Sequence, residues 1–177
     1  GETASGSESG ITDRLQAWQA TCILLLPVKA FLLAGGRGDR LRPLTDHIPK
    51  CLVPIDGVPL LAIWLDLLQR EGVTDVLLNV SQHVSLVERF LADRPGGGPS
   101  VVLLAEASPR GSAATVRDAR HFVDGEADFG ICYADNLTTV RLAPFRAQHD
   151  RHAAPVTMGL FRAADPTSCG IAEMDAD

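Results

Sequence analysis

The sequence predicts an α/β fold, a mostly parallel sheet with helices on both faces. Two observations carry that expectation. Strand-like and helix-like segments alternate from residue 28 onward, and such alternation builds βαβ units. The first strand-like segment, VKAFLLA at residues 28–34, is almost continuously apolar, as suits a parallel strand covered on both faces.

The elements follow in order. Residues 1–10 are rich in Gly, Ser and Glu and read as disordered. Residues 11–20 suit a short helix, so that 1–27 forms a linker-like leader to a domain at 28–177. After the first strand comes a loop rich in glycine and proline. Leu60, Ile63, Trp64, Leu67 and Leu68 then recur at helical spacing, with Gly72 at the stop. This spacing assigns Trp64 to the core, with a stacking role as the alternative. Residues 76–80 are the second strand, and 84–91 form an amphipathic helix with Val84, Val87, Phe90 and Leu91 on one face. A glycine-rich loop leads to a third strand at 101–105. Ser112 is a fitting N-cap for a helix at 113–121. Residues 128–134 are a fourth strand, 144–152 a helix and 155–161 a fifth strand.

At 177 residues the chain suits one domain with length for a real core. Aromatic residues are only 5%, so that core rests on Leu, Val, Ile and Ala. The net charge of −6 argues against nucleic-acid binding, although a local cluster of cations still suits a nucleotide. Cys22, Cys51, Cys132 and Cys169 are scattered, with no C-x-x-C pair. They read as free thiols in a reducing compartment, which points to the cytoplasm. Residues 21–33 are fairly apolar but short, and Pro27 and Lys29 interrupt them, so no membrane span is expected. His47, His83, His121, His149 and His152 show no metal-ligand spacing.

The chemistry concentrates in residues 30–54, AFLLAGGRGDRLRPLTDHIPKCLVP. The strand breaks at Gly35, Gly36 and Gly38, and Arg40 and Lys50 flank a loop punctuated by Pro43 and Pro49. Glycines let the backbone turn and approach a ligand closely, and their N–H groups together with cations suit a phosphate. The spacing fits neither G-x-G-x-x-G nor a Walker loop. A carboxylate–amide pair, Asp135-Asn136, directly follows the fourth strand. In a parallel sheet ligands bind beyond the carboxyl ends of the strands. Asp135 there suits either a divalent cation held against phosphates or a turn cap.

The whole string resembles the signature of the sugar-1-phosphate nucleotidyltransferases, roughly G-G-x-G-[ST]-R-L-x-P-L-T followed by P-K-x-L-x-P. The match runs through Gly35, Gly36, Gly38, Arg40, Leu41, Pro43, Leu44, Thr45, Pro49, Lys50, Leu52 and Pro54. It departs at Asp39, where the family has Thr or Ser. Residues 106–113, EASPRGSA, are similar to the family's E-x-x-P-x-G-[ST]-A segment, with Arg110 in place of an apolar residue. Cys169-Gly170-Ile171-Ala172-Glu173 resembles its Y-G-V-V-E strand.

The resemblance implies a three-layer Rossmann-like (GT-A-like) fold, broken off at residue 177 before the family's later sugar- and metal-binding motifs. It implies transfer of a nucleotide from an NTP to a sugar 1-phosphate, with release of pyrophosphate and dependence on Mg2+. Arg40 and Lys50 are then the catalytic cations. The nucleotide lies on Ala34, Gly35, Gly36, Gly38, Asp39 and Gly111, the sugar on Gly170 and the metal on Asp135. Base and sugar stay open: guanine or thymine nucleotides with mannose-, heptose- or glucose-type phosphates lead, and Gln82 is a base contact by position alone. A non-catalytic nucleotide-binding homologue and a cytidylyl- or uridylyltransferase for another phosphate are the rival readings. A homo-oligomer is compatible with either.

Overall fold

The computed structural model describes residues 28–152, 155–162, 165, 167, 170 and 172–173. The expected leader at 1–27 and the thiols Cys22 and Cys169 lie outside them. The chain divides into two compact units, Gly1–Thr138 and Thr139–Asp177.

The first unit holds a four-stranded parallel sheet of β1 (Val28–Leu33), β4 (Val73–Val80), β5 (Ser100–Ala105) and β6 (Phe129–Tyr133), in the order β5-β4-β1-β6. Helix α1 (Leu60–Arg70) joins β1 to β4, α2 (Val84–Asp93) joins β4 to β5, and α3 (Ser112–Asp118) precedes β6. The path steps outward from β1 to β4 to β5, then returns past β1 to β6. Right-handed crossovers place α1 and α2 on one face and α3 on the other. The switch point, between β1 and β6, is where such sheets open a crevice for ligands.

Registers Phe31↔Leu77 and Leu33↔Asn79 put these residues on one face. Phe31, Leu33 and Leu77 pack there against Ala119, Val116, Phe122 and Val123, which follow from α3 into the turn at Arg120–Val123. The opposite face presents Leu32, Val76, Leu78 and Val80, all buried, as are Leu61, Leu65 and Leu68 of α1 and Val87 of α2. Each fully buried Leu stabilises the fold by about 2 kcal/mol. Strands β1 and β4 are thus sealed on both faces, whereas Phe129, Ile131 and Tyr133 of β6 remain largely exposed.

The strands fall where the sequence places them, within a few residues. Three features differ from expectation. Ser112 does not cap α3 but is its first residue, with Gly111 at the cap, and the helix ends at Asp118. A short hairpin, β2 (Pro54–Ile55) with β3 (Val58–Pro59), precedes α1. Its turn is Asp56-Gly57 with φ of +49° and +78°, and Asp-Gly is the usual sequence of such two-residue turns. The expected fifth strand is a correction: residues 155–161, in the second unit, form no strand, and Val156, Met158, Leu160 and Phe161 are exposed. The apolar alternation there is real, but a strand also needs a neighbour to complete its ladder, and none is present among the described residues. In that unit helix α4 (Ala143–Arg151) carries a Pro in its first turn, and its His149 contacts Thr157 at 3.0 Å.

Candidate functional site

Strands β1 and β6 end side by side, Leu33 opposite Tyr133. The ladder's last rung is the Ala134 N–H donating to the Leu33 carbonyl at 2.9 Å. Beyond it a cavity of about 240 Å³ opens at the switch point. Its walls come from four places: Ala34, Gly35 and Gly36 after β1; Lys50 and Cys51; Glu106 and residues 109–112 after β5; and Tyr133, Ala134 and Asp135 at the end of β6 and just beyond it. Asn79 and Thr115 close the floor.

Lys50 Nζ meets Asp135 Oδ2 across this cavity at 2.9 Å. Both groups keep some contact with water, Asp135 more than Lys50. Lys50 sits in a single turn, Lys50–Leu52, whose Cys51 is buried. Burial pushes the Cys51 thiol up to about 11, so it stays neutral and unreactive near neutral pH. Asp135 lies in the turn after β6, and the buried Trp64 of α1 donates its indole N–H to the Asn136 carbonyl at 2.8 Å. The side chain that the sequence assigns to the core therefore also fixes the turn that carries Asp135.

The glycines of the loop serve different needs. A Cβ on Gly35 would lie 2.5 Å from Asn79 Nδ2 and 3.1 Å from Glu106 Oε2, so Gly35 makes room for a polar pair behind it. Gly36 has nothing within 4 Å and faces open space. Gly38 takes φ of +71° and packs on Thr45, whose hydroxyl donates to the Gly38 carbonyl at 2.9 Å. Among the described residues, the N–H groups of Gly36, Arg37, Gly38 and Asp39 have no hydrogen-bond partner. Donors left open in one loop are what an anion needs.

A polar relay underlies the cavity. Asn79, buried in β4, accepts from the Ala34 N–H at 2.9 Å and donates to Glu106 Oε2 at 3.0 Å. The Thr115 hydroxyl of α3 donates to Glu106 Oε1 at 2.6 Å. Each polar side-chain atom of this relay thereby has a partner, as low-dielectric surroundings demand. Asn79 and Thr115 escaped the sequence reading. The signal for Asn79 was present, an amide inside the apolar run VLLNV.

The structure gathers Ala34, Gly35, Gly36, Lys50, Gly111 and Asp135 around one cavity. Gly38, Asp39 and Arg40 continue the same loop outside its lining. The Asp39 carboxylate pairs with Arg42 at 3.2 Å, so its charge is met within its own turn. Arg40 is exposed and has no ion-pair partner among the described residues. Gln82 does not line the cavity. Arg110 does, and its guanidinium meets Asp118 at 2.6 Å. Gly170 is exposed and belongs to the second unit. Among the described residues no three His, Cys, Asp or Glu side chains cluster as metal ligands, and no helix is long and apolar enough to cross a membrane.

The chain is similar to known proteins over most of its length. The nucleotidyl transferase family profile matches residues 29–177. A glucose-1-phosphate thymidylyltransferase of Streptomyces antibioticus is 32% identical over 151 residues, which cover 85% of this chain and 42% of that protein. The mannose-1-phosphate guanylyltransferase catalytic subunit beta of Danio rerio is 30% identical, over 85% of this chain and 42% of its own length. The chain thus spans less than half the length of these relatives. Among solved structures, HddC of Yersinia pseudotuberculosis superposes with a TM-score of 0.60 at 24% identity, covering 68% of this chain and 53% of that one. The CTP:phosphocholine cytidylyltransferase of Streptococcus pneumoniae gives 0.53, also at 24% identity, over 66% and 49%. At that identity the two structures speak for the fold.

Proposed function

Because the chain belongs to the nucleotidyl transferase family, we propose that it carries the nucleotide-handling half of a sugar-1-phosphate nucleotidyltransferase. The reaction joins an NTP and a sugar 1-phosphate into an NDP-sugar and releases pyrophosphate. The observation that carries the reading is the Lys50–Asp135 pair at 2.9 Å, which shares one cavity with Gly35 and Gly36 at the switch point of a parallel sheet.

A phosphate monoester is already an anionic nucleophile, so the protein needs no base and forms no covalent intermediate. It must align two anions and neutralise their repulsion. In this reading the loop N–H groups from Gly36 to Asp39 hold the β- and γ-phosphates. Arg40, on the same loop, neutralises the departing pyrophosphate. Lys50 leaves Asp135 and bridges the α-phosphate and the attacking oxygen. The Glu106–Gly111 segment receives the nucleoside.

The donor set suits Mg2+. One carboxylate facing a phosphate site is what Mg2+ commonly uses, the phosphates and waters completing its shell. Asp135 would hold it, and its chemistry would be to neutralise charge on the reacting phosphates. Mannose-, heptose- or glucose-type phosphates with guanine or thymine nucleotides are the substrates to try first. We place the protein in the cytoplasm, where these nucleotides are.

A panel of NTPs with Mg2+, read by thermal shift and by pyrophosphate release with several sugar 1-phosphates, tests the reading. An NTP at a hundred times its Kd stabilises by about 2.7 kcal/mol. Failure of every NTP to stabilise a chain shown by circular dichroism to be folded would refute it.

A further inference from the structure

The main-chain ladder between β1 and β4 ends at Leu33↔Asn79, yet the contact between the two segments continues. Side chains take over. Asn79 Oδ1 accepts from the Ala34 N–H at 2.9 Å. Two residues on, the Ser81 hydroxyl donates to the Gly35 carbonyl at 2.6 Å. Two further on, His83 Nε2 lies 3.2 Å from the Thr45 carbonyl. A carbonyl only accepts, so His83 Nε2 carries a proton there. Strand alternation sends residues 79 and 81 to the same side. The three side chains therefore reach the glycine loop at its entry, its first turn and its far side.

His83 adds a second observation. It holds φ of +52°, a left-handed conformation that a non-glycine residue adopts at a cost. That backbone is what starts α2 while turning the imidazole back toward Thr45. Thr45 in turn holds the Gly38 carbonyl at 2.9 Å. The braces consume the Ala34 N–H and the Gly35 and Gly38 carbonyls, and leave the N–H groups between them open.

We infer that Asn79, Ser81 and His83 are positioning residues that pre-form the phosphate loop before any ligand arrives. They turn its carbonyls inward to the protein and its N–H groups outward. The chemical class so served is a polyphosphate, and in that respect the inference rests on the proposed function. A loop fixed beforehand loses less freedom on binding, and this raises affinity for the part of the ligand it touches.

The test uses Ser81→Ala and His83→Ala, with His83→Gln as the conservative variant that keeps a donor. Hydrogen exchange is followed in the ligand-free chain, and MgGTP, MgdTTP, guanosine and thymidine are titrated. Loss of one such hydrogen bond should weaken triphosphate binding about five- to tenfold, leave nucleoside binding within about twofold, and speed exchange of Ala34 and Leu41, the hydrogen-bonded amides that frame the open ones. His83→Gln should restore most of the loss. Unchanged loop exchange, or equal weakening for nucleoside and triphosphate, would overturn the inference. If the parent chain binds neither triphosphate, the guanine and thymine assignments fall, and loop exchange alone decides whether the braces order the loop.

Discussion

Two backbone segments flank the cavity, and they are held very differently. The glycine loop is tied at Ala34, Gly35, Gly38 and Thr45 by side chains from β4, its extension and the loop itself. The segment after β5 is tied firmly at one end, where Glu106 engages Asn79 and Thr115, and Pro109, Arg110 and Gly111 then run exposed to the start of α3. On the proposed function the difference matches two tasks. A phosphate site works through fixed N–H dipoles that need no rearrangement during reaction. A nucleoside offers flat apolar faces and scattered polar edges, and a compliant wall can close on these.

The comparison breaks most sharply at the charges on the braced side. Lys50→Ala should lower turnover about a thousandfold, close to 4 kcal/mol, as for loss of a strong oxyanion donor. It also strips Asp135 of the cation it meets at 2.9 Å, so Mn2+ should bind the free variant more tightly than the parent, visible by electron paramagnetic resonance. Arg40→Ala should cost about 3 kcal/mol in the same pyrophosphate-release assay, with no change in Mn2+ binding. Near-normal turnover in either variant would remove that residue from the proposed mechanism.

Adjacent glycines sharpen the contrast. Gly35→Ala forces a Cβ to within 2.5 Å of the Asn79 amide, so overpacking should destabilise the fold by about 1–3 kcal/mol in urea unfolding. Gly36→Ala meets nothing within 4 Å, and should leave stability within about 0.5 kcal/mol while obstructing the phosphates. The two substitutions therefore separate packing from binding, and similar behaviour would mean the braces carry no strain-sensitive load. On the compliant side, Gly111 takes φ of +87° and ψ of 150°, a region nearly restricted to glycine. Gly111→Ala should cost about 1–2 kcal/mol in the same measurement even though open space surrounds it.

How much of this was legible beforehand follows the range of each signal. Continuous apolar runs marked β1 and β4, because both faces of those strands are buried. The glycine spacing marked the loop, and a carboxylate at a strand end marked Asp135. The Asp-Gly turn at 56–57 was equally visible and was passed over. What stayed hidden depends on contacts distant in sequence. Gly35 owes its identity to Asn79 and Glu106, which stand 44 and 71 positions away by their numbering. The segment at 155–161 has the alternation of a strand, and no one-dimensional pattern reports whether a partner stands beside it.

Asp39 gives the smallest effect and the finest discrimination. The sequence sets a carboxylate where the related signature has a hydroxyl, and beside a triphosphate that charge would repel. The structure turns it to Arg42, which also reaches Asp46 at 3.3 Å. All three side chains are well exposed, and such pairs contribute little to stability. If Asp39 keeps this orientation when the loop is occupied, Asp39→Asn should alter the Kd for MgGTP or MgdTTP by less than about twofold at 0.15 M salt, where charges beyond about 8 Å are screened. Tightening by tenfold or more would place the carboxylate against the phosphates instead. In that case the braces around Gly35 and Gly38 would not control where residue 39 points, and the division into a fixed wall and a compliant wall would stop at Gly38.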